Sequence, residues 1–219
     1  MIREIQIMTA IYKNISLPAH QVSKLRGFFA DLDPSDDYLH NHSLNGSDLY
    51  RYPMIQYKSL HGVPTIIACE EGIGSMYPWI TKTKTLNIGG NLYHHLQKEI
   101  RIQDVLIGDS SRHISYHFLT PWMALNQKNF AVYQTLGSEE QNALLSRTLI
   151  GNILAICKGF SVTIDNQLEV SHDLRQVSVR YKGNQMIGFL GDFSVNCMLP
   201  SLCGIGKGVS LGFGTLNYS

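Results

Sequence analysis

Apolar and polar positions alternate from Arg3 to Tyr12 (REIQIMTAIY), the period of a strand with one buried face. The pattern then lengthens. Leu17, Val22, Leu25, Phe28, Phe29 and Leu32 form a helical stripe, with Ser16 as N-cap, Pro18 in the first turn and Asp33-Pro34 as the stop. Two strands follow, LYRYPMIQYKSL and VPTIIACEE, joined around His61-Gly62. SMYPWITKTKTL reads as a second helix and KEIRIQDVLIG as a closing strand. The order β-α-β-β-α-β is that of a ferredoxin-like, or RRM-like, unit.

The second half repeats the plan. RHISYHFLTPWMAL is a strand, and SEEQNALLSRTLIGNILAICKG is the strongest helix, with Ser138 and Gln141 as its capping box and Gly159 as its stop. Leu144, Leu145, Thr148, Leu149, Ile153 and Ile156 are its inward face. LRQVSVRYKGNQMIGFLGDFSVNCML reads as a hairpin turning at Gly183-Asn184, and FGTLNY as a last strand. Where the final helix belongs there is only PSLCGIGKG, so it is shortened into a glycine loop. The fold class is therefore α+β: two tandem ferredoxin-like units, 1–109 and 110–219, with a glycine-rich loop near the C-terminus.

Composition narrows the chemistry. The 219 residues carry a net charge of +1, which is no general footprint of nucleic-acid binding, so any such function must rest on local geometry. No apolar run reaches the roughly 20 residues of a membrane span, and no leader pattern is present, so a cytoplasmic protein without membrane contact is expected. Cys69, Cys157, Cys197 and Cys203 form no C-x-x-C pair and read as buried free thiols.

The glycine loop GIGKGVSLGFG, Gly204–Gly214, fits neither the P-loop nor the dinucleotide fingerprint. Gly204, Gly206, Gly208, Gly212 and Gly214 allow positive φ and close approach to a ligand, and successive N–H groups can cradle an anion. Lys207 adds a charge and Ser210 a donor. A tight glycine turn that serves packing alone accounts for the composition equally well. If the cradle reading holds, alanine at Gly206 and Gly208 should weaken binding of a phosphodiester backbone and spare the fold.

Two ferredoxin-like units ending in G-x-G-x-x-x-S-x-G-F-G resemble the CRISPR-associated endoribonucleases of the Cas six type, which trim precursor CRISPR RNA at its repeats. YRYPMIQYK, FLTPWMALNQKNF and LIGNILAICKGF also look like segments of that family. The likeness spans nearly the whole chain. Leu211 stands where many relatives carry a basic residue.

The resemblance implies RNA cleavage without metal or other cofactor. The RNA's 2′-hydroxyl would attack the adjacent phosphate, leaving a 2′,3′-cyclic phosphate and a 5′-hydroxyl. Two proton carriers and a cation are needed, and histidine suits the first task and lysine or arginine the second. His40 and His42, in the loop before the second strand, are the expected acid and base in unassigned order; Arg51 and Lys58 are the candidates for the phosphate, and Tyr50 and Tyr38 for orientation or stacking. Close histidine pairs also arise by chance, as His94-His95 illustrates, and only family position raises His40 and His42 above that background. Lys24 and Arg26 would meet the RNA backbone, with Lys207, Ser210, Phe213 and the loop glycines. Trp79 and Trp122 are expected in the core rather than on bases. The expected partner is CRISPR repeat RNA, with a second copy of the chain and effector-complex subunits as further partners the family admits. A repeat-RNA binder of the same fold with little or no activity is the principal alternative, and a structural subunit of a ribonucleoprotein complex a more distant one.

Overall fold

A computed structural model of the chain describes residues 1–40 and 51–219. It divides into two compact units, Glu4–Val105 with Ser210–Gly212, and Leu106–Val209 with Met1–Arg3 and Phe213–Ser219.

In the N-terminal unit the strand β1 (Ile2–Tyr12) is followed by a 3-10 turn (Ala19–Gln21) and α1 (Val22–Ala30), then the short α2 (Asp37–His40). The strands β2 (Ile55–Leu60) and β3 (Val63–Cys69), helix α3 (Glu71–Lys82), a small hairpin of β4 (Leu86–Ile88) and β5 (Asn91–Tyr93), and the start of β6 (Lys98–Phe118) complete it. The sheet order β2-β3-β1-β6 is that of a ferredoxin-like unit, with β1 and β3 antiparallel in the middle. Its core joins Met8, Ala10 and Tyr12 of β1 to Leu25 and Phe29 of α1 and Met76 and Ile80 of α3. The β2–β3 turn lies where expected. His61 and Gly62 take φ of 50° and 80°, the pair of left-handed residues that a two-residue hairpin turn demands.

The C-terminal unit holds the rest of β6, α4 (Gln127–Tyr133), α5 (Ser138–Gly159), β7 (Val170–Tyr181), β8 (Asn184–Met198), a 3-10 turn (Val209–Leu211) and β9 (Leu216–Tyr218). Here β6 pairs with β8 and β9, and β8 with β7, which repeats the same strand order. Leu145, Leu149, Ile153 and Ile156 of α5 are buried, as the stripe predicts. Opposite aromatic neighbours Phe118 and Trp122 stack with centroids 5.5 Å apart.

Several local expectations shift, each for a physical reason. Ser16 does not cap α1. The Leu17 N–H donates to Gly62 and its carbonyl accepts from the Ser59 hydroxyl, so the chain stays extended through Pro18 and α1 starts only at Val22. Likewise α3 begins at Glu71, earlier than expected, and runs through Pro78. The α5 cap falls one residue early. Its N-cap is Gly137, whose N–H donates to Glu140 Oε2 at 3.1 Å, so the box partner is Glu140 rather than Gln141. Glu140→Ala should therefore cost about 0.5–1 kcal/mol of stability, measurable as a small fall in the thermal midpoint. The β7–β8 turn uses Lys182-Gly183, both with positive φ, because Tyr181 pairs with Asn184. The strands expected to end at Gly108 and to begin at Arg112 are one strand, β6. Its register against β8 shifts between Asp109 and Ile114, so a bulge sits where a break between units was expected. The hairpin β4–β5 and helix α4 were not anticipated; their three and seven residues are too short for a periodic signal.

Candidate functional site

The segment before the histidine pair is built by two local turns. Asp33 Oδ1 accepts from the Ser35 hydroxyl (2.6 Å) and N–H (3.1 Å), and the hydroxyl, then the N–H, holds the Asp33 carboxyl below its usual range. Asp36 Oδ1 accepts from the N–H groups of Tyr38 (2.8 Å) and Leu39 (3.3 Å), which starts α2. Leu39 is buried in the unit's core and pins the helix. His40 is its last residue, half-buried, and its carbonyl accepts from Arg26 Nη2. Its Nε2 is buried and meets no hydrogen-bond partner among the described residues.

Arg51 lies with its guanidinium carbon 4.2 Å from the centre of the Tyr38 ring. Its Nε and Nη2 are buried and likewise meet no acceptor among the described residues. A buried guanidinium with unspent donors is costly, and an anion that met them would recover that cost. Two arginines, one imidazole and one tyrosine therefore converge on α2. Beneath them the Tyr57 ring stacks on Phe29 at 6.0 Å, and burial pushes its phenol far up, so it stays neutral.

Other expected residues sit differently. Lys58 is completely buried on β2, and its ammonium donates to Gln56 Oε1 at 3.0 Å. Lys24 is exposed on α1, its side-chain stem beside Gly89 of the β4–β5 turn. His42 and Tyr50 lie outside the described residues. Among the described residues, no group of three His, Cys, Asp or Glu side chains is placed to hold a metal ion. No described helix is long and apolar enough to cross a membrane.

The glycine loop is a folded element whose glycines have packing reasons. Ile205 donates to the Gly214 carbonyl (3.0 Å), Lys207 to Met123 (3.3 Å), Phe213 to Gly208 (3.3 Å) and Gly214 to Pro121 (2.9 Å), so several N–H groups of the expected cradle already have partners. A Cβ on Gly206 would lie 2.6 Å from Trp122 Nε1, and one on Gly208 2.6 Å from Met123 Cε. A Cβ on Gly214 would lie 2.0 Å from the Ile205 carbonyl oxygen, and one on Gly204 2.8 Å from that of Phe213. With φ of 87° and 78° at these positions, alanine at Gly206 or Gly208 is therefore expected to strain the fold rather than spare it. Phe213 is half-buried and meets Tyr181 edge-on at 5.7 Å, so its ring is engaged in packing. Lys207 is exposed, its ammonium 5.3 Å from the centre of the Tyr181 ring. Ser210–Gly212 belong to the N-terminal unit, where Gly212 approaches Tyr57 and Lys58 so closely that a Cβ would lie 2.9 Å from the Tyr57 carbonyl oxygen. This part of the loop thus rests on β2, the strand that follows the histidine pair in the sequence. Trp122 is fully buried, and all four cysteines are buried as thiols.

Sequence reasoning missed the partners that organise the site. Arg26, expected to meet the RNA backbone, holds the His40 carbonyl, a role the sequence did not suggest. A basic residue one helical turn from the core stripe was the available signal.

Tandem ferredoxin-like units closed by this loop define a Cas6-type protein. Family profiles for the Cas6b N-terminal and C-terminal domains match residues 3–105 and 108–219. The chain belongs to the Cas6b family. A crystal structure of Cas6b superposes with a TM-score of 0.94 at 35% identity, over 99% of this chain and 100% of that one. The CRISPR RNA processing endoribonuclease Cas6b superposes at 0.81 and 32% identity, over 99% and 100%. An uncharacterized protein of Methanocaldococcus jannaschii is 36% identical over 138 residues, 63% of this chain and 94% of its own length.

Proposed function

We propose that the chain is an endoribonuclease that cuts precursor CRISPR RNA within its repeats, using the RNA's own 2′-hydroxyl. The observation that carries this reading is the His40 imidazole. It stands at the end of α2 with a buried Nε2 that meets no partner among the described residues, and Arg51, whose Nε and Nη2 likewise meet none among them, lies over Tyr38 of the same helix. A solved family member is described as a CRISPR RNA processing endoribonuclease, which supports the substrate class.

In this mechanism one histidine takes the 2′-hydroxyl proton as the 2′-oxygen attacks phosphorus. The other gives a proton to the departing 5′-oxygen. The phosphorus–5′-oxygen bond breaks as the phosphorus–2′-oxygen bond forms, so no water is consumed. His40 is one proton carrier and His42 the other, in unassigned order. Arg51 and Arg26 face the charge that develops on the phosphate, because a guanidinium matches a phosphate with paired donors. Arg26 also holds the backbone that carries His40, so it positions as well as attracts. Lys58, buried and bonded to Gln56, supports the strand in this reading, and Tyr50 stays with the set through its place in the sequence. Lys24, Lys207 and Ser210 grip the RNA backbone.

Mass analysis of the products tests the reaction type. The upstream fragment is expected to end in a 2′,3′-cyclic phosphate and the downstream one in a 5′-hydroxyl. A 3′-hydroxyl with a 5′-phosphate would overturn the mechanism. The burial of Lys58 favours, as a second reading, a weak catalyst that chiefly binds repeat RNA; turnover below one cut per protein, with tight product binding, would select it.

A further inference from the structure

We propose that the cleft at the hairpin end of the C-terminal unit is a nucleotide subsite, holding one unpaired nucleotide of bound RNA by stacking on Tyr181. This rests on the reading of the chain as a repeat-RNA enzyme, and it adds a specificity site that uses none of the proton-carrying residues.

The cavity measures about 730 Å³, within the roughly 300–1,000 Å³ of small-ligand sites. Its walls come from the start of α4, the tip of the β7–β8 hairpin and Lys207 of the glycine loop. The lining has three chemical parts. Phe130, Tyr181, Met186 and Ile187 supply apolar and aromatic surface; Asn126, Gln127, Asn184 and Gln185 supply carboxamides; Lys182 and Lys207 supply charge. Among the described residues no carboxylate lines it. The lining therefore selects an anion that carries a flat ring with hydrogen-bonding edges. A nucleotide has those three properties: a phosphate, a π-face and polar base edges.

The Tyr181 ring is prepared for stacking. The Phe213 edge meets it at 5.7 Å with an interplanar angle of 79°, and Gly208 approaches so closely that a Cβ would sit 3.1 Å from Tyr181 Cε2. The glycine at 208 thus lets the loop close on the ring and fix it. The ammonium groups of Lys207 and Lys182 lie 5.3 and 5.8 Å from the ring centre. A base stacked on the ring would bring its phosphate within the reach of both. Lys182 takes positive φ (47°) in the hairpin turn, which fixes its backbone beside the ring. The carboxamide residues and both lysines are exposed, so a strand can pass over the cleft and insert one base.

The test measures binding of the source genome's CRISPR repeat RNA to wild type, Tyr181→Leu and Lys182→Gln by fluorescence anisotropy, with thermal melts run in parallel. Leucine keeps apolar bulk against Phe213 and removes the π-face. Tyr181→Leu is expected to weaken binding roughly 5- to 100-fold. Lys182→Gln should lower the slope of log affinity against log salt by about 1. Repeat RNA carrying 4-thiouridine should cross-link wild type at Tyr181 or Phe130 from a single nucleotide position. Should Tyr181→Leu fail to fold, Lys182→Gln and the cross-link decide. A folded Tyr181→Leu with wild-type affinity, an unchanged salt slope, or cross-links confined to other residues overturns the subsite while the cleavage reading stands. Micromolar binding of free AMP that Tyr181→Leu abolishes, with RNA affinity unchanged, assigns the cleft to a free nucleotide and overturns it too. Wild type that binds no repeat RNA overturns both readings together.

Discussion

Replacing His40 with alanine is expected to slow repeat-RNA cleavage by about 100- to 10,000-fold and to leave RNA affinity within about twofold. The imidazole carries a proton in the proposed reaction and makes no phosphate contact of its own. Its backbone carbonyl, which Arg26 holds, survives the substitution, so α2 keeps its anchor and Leu39 stays in the core. The loss then falls on the chemical step. Single-turnover cleavage with saturating protein reads that step directly, and anisotropy on the uncut RNA reads the affinity. An equal fall in affinity and rate would instead make His40 a binding residue, and an unchanged rate would remove it from the reaction.

Gly206→Ala is expected to destabilise the protein by about 2–4 kcal/mol, from strain at φ +87° together with overpacking. The new methyl would lie 2.6 Å from Trp122 Nε1 and 3.0 Å from Asn152 Oδ1, the two atoms of a 2.9 Å hydrogen bond. Trp122 has little room to yield. It is fully buried, stacked on Phe118, and its backbone exchanges both hydrogen bonds with Phe189 at 2.8 and 2.9 Å. Gly151→Ala on α5 is the control. That glycine has helical backbone and open space where a methyl would stand, so alanine should stabilise by about 0.5–1 kcal/mol. Urea unfolding of the two variants checks both signs. A Gly206→Ala protein as stable as wild type but weakened for RNA would return the glycine to a ligand-cradling role.

That contrast marks where the sequence could be read and where it could not. The two βαββαβ orders were legible because long strands and α5 carry periodic burial over many residues: β1 alternates, and Leu145, Leu149, Ile153 and Ile156 recur on one helix face. The termini were less legible because tertiary bonds decide them. Leu17 is held extended by Gly62 and Ser59, and no local signal announces that. The glycine loop was legible as a place of unusual backbone but not in its cause. Positive φ at Gly206, Gly208 and Gly212 serves contacts with Trp122, Met123 and Lys58, all distant in sequence, and at Gly214 a contact with Ile205 at the other end of the loop. Of the candidate site, His40 was singled out by family position and Arg51 as a cation for the phosphate, and the structure brings both to α2. The Tyr38–Arg51 contact and the grip of Arg26 on the His40 carbonyl needed coordinates, because they join residues 13 and 14 positions apart, beyond the reach of any helical or strand period. Lys58 shows the opposite failure. A lysine in a polar-looking strand was read as a phosphate contact, and it lies buried against Gln56.

The most direct measurement of the central claim is cleavage of repeat RNA in excess EDTA, beside the same RNA with a single 2′-deoxy nucleotide at the cut site. A nucleophile supplied by the RNA predicts that the first is cut at the untreated rate and the second remains intact while still binding the protein. Cutting of the deoxy substrate, or loss of all cutting in EDTA, would contradict the account.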